Sequence, residues 1–414
     1  MNILYFTFWG LEKNSGYTLQ FMSEVRHLLK AGHQVTVITG FNLIKSRALR
    51  TRIGTVRREI EEQGGRFEYF NVIGGRFPLV LGVINRLVAG HITRLVKRDN
   101  IQVVQAHADS AAHIASRVRS RWNGVFIYDM HGTTLAERKE ILGDEWVETA
   151  EYKRLRTQKK HALHAADHIF CVSSVFKDYL AREYEISHDK ITITRSGTDI
   201  SPLVSGAEIA RLREDLKLND QPVIVYSGGI SQWQKIDTIL NLFALIHAED
   251  ASVIFMFLIP GYAAREFDKL LTGTAIPGQN LRVLNLPSDQ VHYYLSVADF
   301  GVLLRDRNMV NFVASPIKLA EYLMAGLNVV VTDQIGDTTQ IVEENRLGVI
   351  LADLSEESIT NTAHQLVRGR SAFSGREQCA SSAVSYFSWQ VIMEVFETTY
   401  AELIENRSNT PDED

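Results

Sequence analysis

Lys318 and Glu321 are the pair from which a chemistry can first be read. They stand one helical turn apart in residues 314–326, Ala-Ser-Pro-Ile-Lys-Leu-Ala-Glu-Tyr-Leu-Met-Ala-Gly, among Ile317, Leu319, Ala320, Leu323 and Met324. A helix that apolar is largely buried, and a buried charge is costly unless paired or liganded. An i,i+3 salt bridge at a helix edge would satisfy both residues. The sharper reading is a ligand site. A helix N-terminus offers free N–H groups and a positive dipole end to an anion, and Glu321, two turns in, can accept hydrogen bonds from sugar hydroxyls. His131 is the second candidate. It lies in Tyr128-Asp-Met-His-Gly132 at the end of a strand-like run, where catalytic groups collect. Asp129 either orients it or forms a turn, and the plainer alternative is a hydrogen-bonded loop histidine.

The elements that would position these groups follow from pattern. Ser315 is a good N-cap, Pro316 suits the first helical position, and Gly326 suits the end. Val329, Val330 and Val331 then read as a parallel strand covered on both faces. Similar short apolar runs occupy 3–8, 34–39, 67–72, 101–106, 124–128, 168–172 and 191–194, and in the second half 222–226, 253–259, 281–284, 300–304 and 348–351. Helical patterns separate them, notably 18–30, 110–119 and 152–165. This alternation predicts an α/β protein with doubly wound parallel sheets, whose ligands bind beyond the C-terminal strand ends. At 414 residues the chain is too long for one ordinary core. We expect a first domain over 1–201, a second over 202–386 with the boundary near Pro202, a terminal helix over 387–406, and a frayed tail over 407–414. Trp389, Ile392, Phe396, Tyr400 and Leu403 give that helix one apolar stripe. Asp412-Glu-Asp414 imitates a metal-binding motif, but a disordered acidic tail explains it.

Composition narrows the function classes. The hydrophobic fraction is 45%, normal for a globular protein. Two distant cysteines, Cys171 and Cys379, argue for a reducing compartment and against a disulfide framework. Met1 leads straight into a strand-like run, so no signal peptide is expected. The stretch closest to a membrane span, 77–84, is short and flanked by Arg76 and Arg86. The formal charge is −5, yet residues 41–100 hold twelve Lys/Arg against five Asp/Glu. That segment is either a solvated face or a surface that meets anionic lipid. It lacks the interleaved aromatics of a nucleic-acid binder, so no nucleic-acid partner is expected. No His/Cys/carboxylate cluster shows metal-ligand spacing, and no metal site is expected.

Residues 313–333 resemble the donor-sugar site of the retaining GT-B glycosyltransferases of family GT4. Their signature is a Glu, seven residues, a second Glu, then Ala-x-x-Ala-Gly-x-Pro-Val-Val. Glu321 matches the second Glu. Val313 stands at the first Glu position and Asn328 where proline is usual. Residues 195–199, Arg-Ser-Gly-Thr-Asp, resemble the family's interdomain turn.

The resemblance implies two Rossmann-like domains facing across a cleft, with the terminal helix crossing back to pack on the first. It implies that Glu321 holds the ribose of a nucleotide sugar, with Ser315, Pro316 and Ile317 at the helix start facing the donor. His131 is then the histidine that contacts the donor sugar. Gly16 belongs to a first loop that approaches substrate. Gly228 and Gly229 belong to the donor loop, and Asn285 and Leu286 lie against the base. The family's two diphosphate-binding cations fall on Gly229 and Gln234, so the charge must come from Lys235, Lys318 or Arg305. Arg305 is favoured, because it follows a buried strand and Arg suits bidentate phosphate contact. A surface Arg paired with Asp306 is the alternative. The implied activity is retaining transfer from a nucleotide-diphosphate sugar to a saccharide or lipid-linked acceptor, without metal or other cofactor. The implied setting is bacterial surface-polysaccharide assembly, in the cytoplasm or peripheral to the inner face of the plasma membrane. Two other readings share the architecture: a sugar-nucleotide epimerase, and a catalytically silent homologue serving as a binding or scaffold subunit.

Overall fold

Short runs of β-branched and aromatic residues that are apolar on both sides suit strands covered on both faces. The computed structural model describes residues 1–8, 11, 16–42, 47–72, 78–199, 201, 203–287, 289–369 and 373–409. Its strands are β1 (Asn2–Thr7), β2 (Gln34–Phe41), β3 (Arg66–Asn71), β4 (Val103–His107), β5 (Val125–Met130), β6 (His168–Cys171) and β7 (Ile191–Ile193), followed by β8 (Val223–Ser227), β9 (Ile254–Leu258), β10 (Leu281–Leu284), β11 (Phe300–Leu303), β12 (Asn328–Thr332) and β13 (Gly348–Leu351). Each lies where the sequence pattern places it.

The strands form a seven-stranded sheet of order β3-β2-β1-β4-β5-β6-β7 and a six-stranded sheet of order β10-β9-β8-β11-β12-β13. All neighbouring pairs are parallel. These are two Rossmann-like sheets, as expected. Each order reverses once, between β1 and β4 and between β8 and β11. On doubly wound sheets ligands bind beyond the strand ends at such switch points.

The chain divides into two compact units, Met1–Arg195 with Ile392–Asp414, and Ser196–Val391. The division falls after Arg195, a few residues before the expected one, because Ser196 is tied into the second unit. Its backbone N–H donates to Ser315 Oγ at 3.3 Å and its hydroxyl to the Ser315 carbonyl at 2.8 Å. Pro202 lies outside the described residues, as do Asp412-Glu-Asp414. The terminal helix spans Trp389–Ser408. Within the first unit, Phe396 stacks on Phe170 with ring centres 4.7 Å apart, Glu397 pairs with His33 at 3.0 Å, and the Tyr400 hydroxyl donates to Gln105.

In the second unit one apolar cluster covers each face of the sheet. Leu319, Tyr322 and Leu323 pack with Val225, Met256 and Val331 on one. Tyr226, Phe243 and Phe257 pack with Val302 and Val330 on the other. Gly301 lets the helix close on β11, since a Cβ there would lie 2.4 Å from the Tyr322 ring.

Candidate functional site

In the second unit the site grows from the helix Ile317–Met324. It starts one residue later than expected. Pro316 occupies the N-cap position with φ −70° and ψ 117°, and no side chain caps the helix. Ser315 does not cap because its hydroxyl accepts from Ser196 instead. The C-terminus matches expectation, with Gly326 at φ 81° in the left-handed region.

Lys318 is buried at 8% exposure. Its Nζ donates to the Tyr226 hydroxyl and to Gln234 Oε1, both at 2.8 Å, and lies 4.2 Å from the Tyr226 ring centre. Tyr226 in turn donates to the Gly229 carbonyl. The Lys318 hydrogen bonds therefore run to β8 and the loop after it, not across its own helix to Glu321. That loop needs glycine. Gly228 has φ +122°, and a Cβ there would lie 2.5 Å from Lys318 Cε. Burial, then the charge of Arg305, push the Lys318 pKa well below its ordinary value.

Arg305 follows β11. Its backbone N–H donates to Thr332 Oγ1 at 2.7 Å, and its guanidinium donates to Asn311 Oδ1 at 3.1 Å. Arg305 Nε is shut off from solvent with no hydrogen-bond partner. The alternative of a surface pair with Asp306 does not hold, because Asp306 pairs with Lys235 at 3.1 Å. Burial pushes the half-buried Glu321 up to about 7, and the nearby Lys318 only partly offsets this. The β8/β11 switch point thus gathers two enclosed basic side chains and a carboxyl group that is only half ionised near neutrality. A buried guanidinium with an unused N–H is costly until an anion meets it.

In the first unit the structure brings together residues that sequence spacing does not connect. The helix α1 (Gly16–Lys30) carries Glu24, β4 ends in His107, and β5 leads to Asp129 and His131. His131 Nε2 lies 3.1 Å from Asp129 Oδ1 and 3.4 Å from Glu24 Oε1. His107 Nε2 lies 3.4 Å from Glu24 Oε2 and 3.6 Å from Asp129 Oδ2. The two imidazoles stack with centres 4.3 Å apart. Asp129 Oδ1 is thus the carboxylate oxygen nearest His131 Nε2, although neither atom makes a hydrogen bond. Burial pulls the His131 pKa down, but the carboxylates of Asp129 and Glu24 outweigh it and hold it at about 9. A further layer fixes the set. Gln105 Nε2 donates to Asp129 Oδ2 at 2.8 Å, Tyr17 OH meets His107 Nδ1 at 2.9 Å, and Tyr5 donates to Glu24. The sequence reading found no metal-type cluster. Among the described residues Glu24, His107, Asp129 and His131 nonetheless each offer a possible ligand atom, all within 4.8 Å of one another. Glu24, His107, Tyr226 and Asn311 were missed. A histidine closing a buried strand, as His107 does, is the one signal that could have pointed to the cluster.

The remaining expected residues are dispersed. Gly16 opens α1, and the loop before it lies mostly outside the described residues. Asn285 is exposed and Leu286 half-buried just past β10, the edge strand of the second sheet. Ile317 is half-buried at the helix start, and a Cβ at Gly229 would meet the Tyr262 hydroxyl at 3.1 Å. Val313 is fully buried, where a free carboxylate would be costly. In the basic segment lie the helices α2 (Arg47–Glu61) and α3 (Pro78–Arg98). Val80, Val83 and Leu87 are exposed at 39%, 56% and 68% along one stripe of α3. Among the described residues no helix is long and apolar enough to cross a membrane.

Comparison with known proteins bears on both units. The family model for Glycosyltransferase Family 4 matches residues 18–202, and that for Glycosyl transferases group 1 matches residues 208–383. No curated protein matches. Among solved structures, Anabaena Alr3699/HepE in complex with UDP-glucose superposes with a TM-score of 0.69 at 14% identity, over 97% of this chain and 100% of that one. Sucrose-phosphate synthase from Thermosynechococcus elongatus gives 0.73 at 13% identity, over 98% and 99%. The lipopolysaccharide outer core galactosyltransferase WaaB gives 0.68 at 10% identity, over 97% and 100%. At these identities the likeness establishes the fold.

Proposed function

We propose that this chain, which belongs to the GT-B glycosyltransferases, moves a sugar from a nucleotide-diphosphate sugar to a saccharide or lipid-linked acceptor with retention of configuration. The observation that carries the reading is the pair of enclosed basic groups, Arg305 with its unused Nε and Lys318, at the β8/β11 switch point. In this reading the second domain holds the donor. Arg305, Lys318 and the start of the Ile317–Met324 helix, with Ser315 and Pro316, meet the diphosphate. They stabilise the charge that develops as the bond from anomeric carbon to phosphate oxygen breaks. Gly228 and Gly229 let the backbone approach, while Lys235, already paired with Asp306, is the lesser contributor. Glu321 accepts from the ribose hydroxyls, and the base lies against Asn285 and Leu286. The acceptor hydroxyl attacks the anomeric carbon on the face the diphosphate leaves, and its proton passes to the departing phosphate oxygen. No protein base and no metal take part in that step, and the nucleotide sugar is a co-substrate, so no cofactor is called for.

The first domain binds the acceptor, and His131 contacts the donor sugar. The exposed stripe of α3 with Arg86 and Arg94 beside it, and the arginines of α2, suit an anionic lipid surface. The setting is surface-polysaccharide assembly on the cytoplasmic face of a bacterial membrane. That HepE was solved with UDP-glucose supports a uridine donor first.

A second reading, a catalytically silent binding subunit, draws on the buried Val313 and the neutral Gln234 at positions where the family carries charge. A turnover assay separates the two. Purified protein is incubated with nucleotide sugars and lipid-linked saccharide acceptors, and acceptor-dependent release of the nucleoside diphosphate is followed. Nucleotide binding without any release would favour the silent subunit.

A further inference from the structure

We infer that Glu24, His107, Asp129 and His131 form a closed, four-coordinate site for one divalent transition-metal ion of the zinc class. The inference does not rest on the transferase reading.

The first argument is distance. Zinc held by imidazole nitrogen and carboxylate oxygen at about 2.0–2.2 Å in a tetrahedron sets its ligand atoms roughly 3.3–3.5 Å apart. Each imidazole Nε2 lies close to that spacing from an oxygen of each carboxylate: His131 is 3.4 Å from Glu24 Oε1 and 3.1 Å from Asp129 Oδ1, His107 is 3.4 Å from Glu24 Oε2 and 3.6 Å from Asp129 Oδ2, and one ligand atom from each of the four residues falls within 4.8 Å of the others. The second argument is direction. His107 Nε2, His131 Nε2 and Asp129 Oδ1 are buried and make no hydrogen bond, although each nitrogen has carboxylate oxygens within 3.6 Å. The ring N–H directions miss the oxygens, so protonated imidazoles would leave their donors unanswered in a dry place. Lone pairs aimed at a shared centre have a use for that geometry. The third argument is charge. Two carboxylates, exposed at 2% and 0%, need two positive charges nearby. Two imidazoliums or one dication would supply them, and only the dication also uses the orphaned nitrogens.

The surrounding layer fits a metal site. A ligating histidine usually hydrogen-bonds through its other ring nitrogen. His107 Nδ1 does so with Tyr17 OH at 2.9 Å. Gln105 and Tyr5 hold the carboxylates. The set also mixes two imidazoles with two carboxylates, a donor set that suits zinc, iron or manganese better than calcium or magnesium. His131, 15% exposed, is the member through which an ion would enter. Four protein ligands leave no open position, so the ion is structural. It ties α1 to the ends of β4 and β5 and fixes the His131 ring.

The test uses the full chain, purified without a metal-affinity step, and reads metal content by elemental mass spectrometry. About one equivalent of zinc, iron or manganese per chain is expected. After chelation and dialysis, Co2+ should restore one equivalent and give the intense visible bands of a tetrahedral centre, and Zn2+ should raise Tm. Glu24→Gln and His107→Gln should each weaken retention about tenfold or more. Should either fail to fold, Tyr17→Phe, which keeps all four ligands, is expected to fold and to lose affinity by roughly 10- to 100-fold. Three results would overturn the site: no stoichiometric metal, Co2+ that binds without tetrahedral bands, or full retention in every variant. The four side chains would then be a metal-free cluster of imidazoles and carboxylates.

Discussion

Lys318 Nζ sits 2.8 Å from the Tyr226 hydroxyl and 4.2 Å from the centre of the same ring. The lysine reaches from one element to the loop that ends another, and a glycine at 228 is what lets it through. Replacing Gly228 with Ala forces a Cβ into the lysine stem and strains a backbone at φ +122°. Gly228→Ala should lower nucleotide affinity at least about tenfold, and Lys318→Met by roughly 10²-fold, each with the fold retained. Isothermal titration with the preferred nucleotide checks both. An unchanged Kd in Lys318→Met would remove the lysine from the site.

Glu321 makes pH a probe. Its pKa in the folded chain, about 7, is raised above the ordinary carboxyl value. The folded state therefore binds the proton more tightly than the unfolded state does. The stability from that proton is fully present below the unfolded pKa, about 4.3, and is lost as pH rises through about 7. Glu321→Gln, which cannot ionise, should unfold at higher temperature than wild type at pH 8, with the gap closing at pH 5. Binding should move the other way. A ribose hydroxyl donates to a carboxylate, so wild-type affinity should fall as pH drops from 8 to 6. Glu321→Gln should bind weakly and with a flatter profile. Thermal unfolding and titration at three pH values separate the trends.

His131 is expected to act on turnover without holding the nucleotide. His131→Ala should reduce kcat by about 10²-fold while the Kd for the free nucleoside diphosphate stays within roughly twofold of wild type. A large loss of diphosphate affinity would place His131 differently from the role proposed.

The basic, partly apolar face gives a direct binding test. Val83→Glu with Leu87→Glu should abolish sedimentation with vesicles containing anionic lipid, and Arg86→Glu with Arg94→Glu should weaken it and reduce its salt sensitivity. Wild-type protein that stays in the supernatant at low salt would dispose of the membrane surface.

Much of the fold is legible because buried parallel strands announce themselves. Val329, Val330 and Val331, or Ile3 to Phe6, have no polar face to show, and each proved a strand. The place of Arg305 just beyond β11 was legible for a related reason: a charge directly after such a run sits at a strand end. Glu24, His107 and Asp129 were not legible together. They come from a helix and two strands, and only the sheet order β1-β4-β5 makes them neighbours. Ser315 misled locally. It has the right chemistry for a helix cap, but Ser196, 119 positions away, takes its hydroxyl. Here a backbone N–H distant in sequence takes the acceptor that local pattern assigns to the helix cap.

The central claim is that the second domain holds a nucleoside diphosphate at Arg305, Lys318 and Glu321. The most direct measurement is a thermal-shift panel of UDP, GDP, ADP and CMP with their common sugars, on wild type and on Glu321→Ala. A ligand that binds the folded state raises Tm by mass action, by about 2.7 kcal/mol of stability at 100 times Kd. The account predicts a clear shift with one diphosphate and its sugars, UDP first, that Glu321→Ala abolishes. A folded, monodisperse wild type that shifts with none of them would contradict it.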